Sequence, residues 1–529
     1  MHLPRHTLTS HVAHPVFTHA SFSHTAWAHE GMRGDDMVTV GCATDTGFAI
    51  ARVPSLQVLV QEGGRIRAGP FEEPACGVLQ SVPMGTSSLV VLRGGGSKPL
   101  VPPTKVLLWD AAGAAPPSPT ASLLFDVGGA SVEESGGTGA APGYSAAALA
   151  SGAPRNGVPS QIPPPVAPAP PPGAPVAELS FATPVVRTYA LHVVDCTQQT
   201  PPSTMTRAIF LVAVETTRTT LLQLDADDGS WSVAHRLEVD TWENPGGVAA
   251  LQYSADQDAV LLAAPGQSRG HVQLVQVPAG NASAARASGS ARHPAAAARH
   301  SAIVMASQSP VAALAISADG HLLAVASQRG TLVRVWRMDA STAPAAGALH
   351  VRQQSEFRRG TDAAETHDLA FARDSTHLAV VSDKGTVHIF RLRDRTARGG
   401  VPTGARSVAQ FHVPLQTYPA GPARGRDAAE NREGAWARTR ARVADLRAGA
   451  PQRTERVALA WLGTHASARL CALTTAGVCY TLALDTAGRR SGEHPDAAQR
   501  CVVPQLLHRL QGCHLVGFAC LALDESDWA

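Results

Sequence analysis

Two stretches of this chain are the same sentence written twice. Residues 314–336 read LAISADGHLLAVASQRGTLVRVW, and residues 369–390 read LAFARDSTHLAVVSDKGTVHIF. Each runs as an apolar strand, a polar turn, a second apolar strand, a Ser-x-x-Gly-Thr turn and a third strand. A repeat of this kind, at the spacing of propeller blades, predicts an array of four-stranded sheets rather than one continuous layer.

Between the two copies lies Phe357-Arg358-Arg359-Gly360. Side chains alternate across an extended segment, so adjacent arginines point to opposite sides and would serve two sites. A guanidinium donates paired hydrogen bonds in a plane and stays charged at any working pH, which suits it to phosphate. An isolated Arg-Arg pair is ordinarily a solvated strand edge. Here each neighbouring repeat offers a hydroxyl-bearing turn to one of the arginines, and that combination favours a binding role.

This ordered set, with ASQRGTLVRVW before the motif and SDKGTVHIF after it, resembles the PROPPIN family, the phosphoinositide-binding β-propellers that include the WIPI proteins of autophagy. The resemblance implies an all-β, seven-bladed, WD40-like propeller. It also implies one headgroup pocket of Ser327, Gly330, Thr331, Arg334 and Arg358, and a second of Arg359, Gly360, Ser382, Thr386 and His388. The residue types fit: hydroxyls give single directed bonds, arginines give two, and Gly330 or Gly385 lets the backbone come close. Lys384 adds a point charge to the second pocket. An unperturbed His388 would protonate in mild acid and strengthen anion binding. Singly, Ser and Thr in turns usually satisfy local backbone groups, and His388 alternates with apolar neighbours as an exposed strand residue would. Ser307 and Val325 depart from the family's pattern and fall on the first pocket, so the second is expected to be closer to it.

The rest of the chain agrees. VTVGCATDTGFAIARV, from Val38, turns tightly at Gly47 and resembles the family's first blade; residues 78–110 resemble its second. Gly94 to Gly96 lack the following Lys-Ser/Thr and helix of a phosphate loop. Residues 1–35 carry His2, His6, His11, His14, His19, His24 and His29 without regular spacing, and read as a disordered extension rather than a metal tract. The propeller is expected over 36–529, with disordered low-complexity insertions at 112–175 and 279–302. A third insertion, 393–435, is expected as a blade-six membrane loop in which Phe411, Val413, Leu415 and Tyr418 supply apolar anchors and residues from Trp436 onward supply the blade's last strand. RSVAQFHVP, residues 406–414, could itself be that strand. Residues 391–456 hold 14 arginines against 6 acidic residues. What remains outside extension and insertions divides into seven units of roughly 50 residues, the size of a propeller repeat.

Composition closes other routes. The formal charge is only +2 over 529 residues, unlike a nucleic-acid-coating surface. Eight cysteines lie scattered without CxxC pairs, which suggests neither a zinc site nor a disulfide frame. No apolar run is long enough to span a bilayer, and no secretory signal opens the chain. No nucleophile–base pair or metal-ligand spacing appears, so no catalytic residue, metal or cofactor is assigned. The expectation is a cytoplasmic, monomeric, non-enzymatic effector. It would bind phosphatidylinositol 3-phosphate and the 3,5-bisphosphate on phagophore, endosomal or vacuolar/lysosomal membranes, and recruit autophagy machinery such as an Atg2-type lipid-transfer protein. The alternative is a protein-interaction propeller with degenerate lipid sites.

Overall fold

The computed structural model describes residues 17–27, 38–44, 47–63, 77–96, 98–111, 124–126, 174–197, 203–227, 230–280, 300–340, 349–392, 405–415, 417–419, 452–463, 467–484 and 513–520. These residues are strands and turns with no α-helix, and they form eight sheets: seven of four or five mainly antiparallel strands, arranged as the blades of a propeller, and one two-stranded pair.

Blade five is Val311–Ile316, Leu322–Ser327, Leu332–Ala340 and Leu349–Arg358, from the axis outward. Blade six repeats it as Thr366–Phe371, His377–Ser382, Thr386–Arg391 and Ala409–His412. The sequence explains the order of the layers. LLAVAS and HLAVVS are apolar on both faces, because a second strand is covered by neighbouring blades on both sides. LHVRQQSEFR alternates, because an outer strand leaves part of its surface in water. Gly330 and Gly385 close the matching turns at φ of 60° and 71°. A Cβ on Gly330 would lie 1.9 Å from the Ala364 carbonyl, so only glycine fits there.

Apolar packing welds the two repeats. Phe357 stacks on Phe390 with ring centroids 4.8 Å apart, inside a cluster that also holds Val333, Val335, Leu378 and Val380. The first residue of the Phe-Arg-Arg-Gly motif is therefore a core residue. At the other end of the chain, blade seven is Val457–Leu462, Arg469–Thr474, Val478–Leu484 and Cys513–Cys520, all C-terminal. The ring closes without strand exchange: Phe17 N–H donates to Thr475 O at 2.8 Å, and Phe17, Phe22 and Val40 pack on Cys471, Leu473 and Cys479.

Four boundaries differ from the sequence expectation. Residues 17–27 are not an extension: His19–Phe22 is the innermost strand of blade one, and Thr25–Trp27 runs parallel to Val185–Thr197 in blade three. HASF alternates half-buried and buried positions, a period that the surrounding histidines obscure. In the 112–175 segment, Leu124–Asp126 pairs with Ala174–Ser180, the fourth strand of blade two; the remainder up to 173 lies outside the described residues. His300–Met305 is the outer strand of blade four, so the 279–302 boundary falls too late.

The largest correction concerns 393–435. Ala409–His412 is the fourth strand of blade six, where residues from Trp436 onward were expected. Phe411 and Val413 are fully buried with Trp461, Tyr480 and Leu482 of blade seven, and Leu415 packs on the same cluster. They are not membrane anchors. Ala409, Phe411 and Val413 recur every second residue, the period of a half-buried strand, with Gln410 and His412 on the other face. Tyr418 falls in Thr417–Pro419, which pairs with Gln452–Thr454; its side chain lies outside the described residues.

Candidate functional site

The outer strand of blade five carries the two arginines to its end, and the alternation separates them. Glu356 and Arg358 pair across the ladder with Arg334 and Leu332. This face is turned to blade four, since Arg334 Nη1 donates to Ala306 O at 3.1 Å. Arg358 is exposed and makes no side-chain hydrogen bond or ion pair with a described residue, while its N–H donates to Ala405 O at 3.0 Å. Ser327, half-buried, ends the second strand, whose Leu323 and Val325 pack toward blade four. Ser327 O accepts from Gly330 N–H, which fixes the turn, and Thr331 O accepts from Arg359 N–H at 2.9 Å.

Arg359 goes to the opposite seam. It is only 9% exposed; Nε donates to Gly330 O and Nη2 to Asp362 O at 2.6 Å. Burial lowers its pKa from the usual arginine value, and the nearby Asp383 and Asp362 carboxylates act the other way. Across the seam, Ser382, Thr386 and His388 share the parity of Val380 and Phe390, the face packed against blade five. Ser382 Oγ is buried without a partner. Thr386 Oγ1 lies 3.4 Å from His412 Nδ1, and His388 Nδ1 lies 3.5 Å from Ser407 Oγ. Gly360 has no heavy atom within 4 Å of where a Cβ would stand, so the backbone is open to a ligand there.

The structure thus sorts the predicted residues into two seams, with three differences in chemistry. His388 is buried, and burial together with the field of Arg359 lowers its pKa to about 4. It is a neutral group in mild acid, not the pH-responsive cation that its ordinary pKa suggests. Arg334 is held by Glu356 at 2.9 Å, which occupies part of the first pocket's charge. Lys384 is exposed, 3.7 Å from Asp383. The carboxylates of Glu356, Asp362 and Asp383 were missed by sequence reasoning. Glu356 becomes a partner of Arg334 only once the strand register is known, and nothing local in QQSEFRR signals it.

Two polar seams flank a shared arginine pair on the rim, and the class that the fold defines is a seven-bladed β-propeller. The comparisons agree on kinship. A family model described as "BCAS3, WD40 repeat" matches residues 246–411. Autophagy-related protein 18 of Mycosarcoma maydis is 44% identical over 97 residues, 18% of this chain and 19% of that protein. SVP1-like protein 2 of Emericella nidulans is 37% identical over 153 residues, 29% of this chain and 37% of its own length. Matched segments therefore span little more than a third of these curated relatives, or less. Among solved structures, Hsv2 of Kluyveromyces marxianus aligns with 97% of this chain and 100% of its own at 12% identity and a TM-score of 0.47. Over these segments the chain is similar to autophagy-related proteins, in line with the PROPPIN resemblance of its sequence.

Proposed function

We propose that this chain is a phosphoinositide effector that recognises phosphatidylinositol 3-phosphate and phosphatidylinositol 3,5-bisphosphate through the two seams beside blade five. The carrying observation is the division of Arg358 and Arg359 between seams that each present Ser and Thr hydroxyls and a glycine turn. One headgroup would sit against Arg358 with Ser327, Thr331 and Arg334. The other would meet Arg359, Gly360, Ser382 and Thr386, with His388 as a neutral hydrogen-bonding group and Lys384 as an outlying charge. Two weak pockets on one rigid body gain by avidity, because the second lipid is met at high effective concentration.

The reading includes reversible attachment to phagophore, endosomal or vacuolar/lysosomal membranes without catalysis. The names of the relatives support an autophagy role. The solved complex of Atg21 with the coiled coil of Atg16 shows what one such propeller assembles with; for this chain an Atg2-type lipid-transfer protein is the partner proposed. The Arg334–Glu356 ion pair favours, for the first pocket alone, the alternative of a weakened lipid site on a scaffold.

Calorimetric titration with a soluble short-chain phosphatidylinositol 3-phosphate separates the pockets. Arg359→Ala is expected to lower affinity roughly 10- to 100-fold, the effect of a lost charge-assisted bidentate contact, and Arg358→Ala to lower it less. Arg358→Ala should leave stability within about 0.5 kcal/mol, since its guanidinium holds nothing in the fold. Equal headgroup affinity in wild type and both variants would overturn the assignment.

A further inference from the structure

A second cationic site lies on the propeller axis, away from the rim. Where the innermost strands begin, a cavity of about 580 Å³ opens, a size typical of small-molecule sites. Arg93 from blade two, Arg187 from blade three and Arg456 at the entry to blade seven line it, with His19 of blade one. The closed ring of blades brings together what no stretch of sequence does.

The arginines are unequally compensated. Arg456 pairs with Glu365 at 2.8 Å. Arg93 is 9% exposed, and the one hydrogen bond of its side chain to a described residue is Nη1 to Val185 O at 3.0 Å. Its Nε is buried without a partner, and so is Nε of Arg187. Arg187 lies over the Tyr189 ring at 5.1 Å. Neither Arg93 nor Arg187 forms an ion pair with a described carboxylate. Glu243 and Asp368 also line the cavity; the Asp368 oxygens accept from Leu369 and Leu459 N–H, and its carboxyl lies in the field of Arg187 without forming an ion pair with it. Burial, and then the charge of Arg187, lower the pKa of Arg93 to about 10. Burial and the fields of all three arginines hold His19 well below its ordinary value, as a neutral group.

A buried guanidinium, Arg93, beside a half-buried one, Arg187, each with a buried Nε–H bond unmade, is costly unless an anion joins them. We propose that Arg93 and Arg187 form an axial binding site for a compact phosphate group, carried either by a small soluble phosphate or by a phosphorylated side chain of a partner. The planar forks favour a tetrahedral oxyanion, which can accept from both at once. His19 Nδ1 is 3.0 Å from Ser21 Oγ, which leaves the other ring nitrogen to the cavity. This site is independent of the rim pockets.

The test uses the full chain carrying Arg358→Ala and Arg359→Ala, so that the rim is silent. Inorganic pyrophosphate and a phosphoserine peptide, each beside its unphosphorylated or chloride control, are titrated while melting temperature and binding heat are followed. Either probe should raise the melting temperature and bind, and Arg187→Gln should weaken that binding at least tenfold. Pyrophosphate alone identifies a soluble ligand; the peptide alone identifies a phosphorylated partner. Arg187→Gln should still fold, because it removes like charge beside Arg93 and no hydrogen bond through Nε; circular dichroism without ligand checks this, and Arg187→Lys, which keeps the charge but loses the fork, should also bind weakly. No binding of either probe to the parent chain, or binding by both Arg187 variants as tight as that of the parent, would overturn the proposal.

Discussion

Phe411→Ala is expected to lower the unfolding free energy by about 3–5 kcal/mol, the range for deleting a buried aromatic side chain. Phe411 has no exposed surface, and its ring lies 5.6 Å from that of Tyr480 across the seam between blades six and seven. It sits in one cluster with Val457, Trp461 and Leu482, so a cavity there loosens two blades at once. A membrane-loop residue would behave in the opposite way, with unchanged stability and weakened vesicle binding. Urea unfolding distinguishes the two: a midpoint equal to that of the wild type would return 405–415 to the loop and remove the fourth strand of blade six.

Acid should unfold this propeller through histidines that the fold holds neutral. His192 is 2% exposed; its Nδ1 accepts from Thr86 N–H at 3.3 Å and its Nε2 lies 3.0 Å from Thr206 Oγ1, so a second proton would displace a bond already made. Burial lowers its pKa to about 4, as burial and Arg359 do for His388. Both values lie below the 6.5 of the unfolded chain, which therefore takes up protons first as pH falls. The stability contributed by the neutral rings is complete above pH 6.5 and is lost progressively down to about pH 4, roughly 3 kcal/mol for each histidine.

Asp368 works in the other direction. Burial raises its pKa to about 6, so between pH 6 and 4 its protonation favours the folded state. One carboxyl offsets part of two histidines, and the net expectation is a falling denaturant midpoint from pH 6.5 to 4. His192→Gln should flatten that slope. A midpoint constant between pH 7 and 4.5 would contradict the assignment of buried neutral rings.

How much of this could be read in the sequence depended on whether the deciding contact was local. The paired repeat announced blades five and six, because strand, turn and strand follow one another within each copy and the glycines of both turns are needed for positive φ. The separation of Arg358 from Arg359 was legible for the same reason, since alternation is a property of two adjacent residues. The sequence was less clear where one segment could serve two purposes. SVAQFHVP has enough apolar character for a membrane loop, and its period of two gains meaning only when a neighbouring strand and blade seven are there to receive it. HASF was hidden by the histidines around it. Long-range pairs were not legible at all: Glu356 reaches Arg334 through strand register, His388 becomes buried only when Arg359 arrives from blade five, and Arg93, Arg187 and Arg456 meet because a ring returns to its own axis.

The central claim is that the arginine pair reads a 3-phosphorylated lipid from two seams. It is tested most directly by flotation of the wild type and of the Arg358→Ala/Arg359→Ala double variant with vesicles containing phosphatidylinositol 3-phosphate or unphosphorylated phosphatidylinositol at near-physiological salt. The account predicts that the wild type floats only with the phosphorylated lipid and that the double variant stays behind with both. Equal flotation of wild type and variant, or of wild type with either lipid, would contradict it.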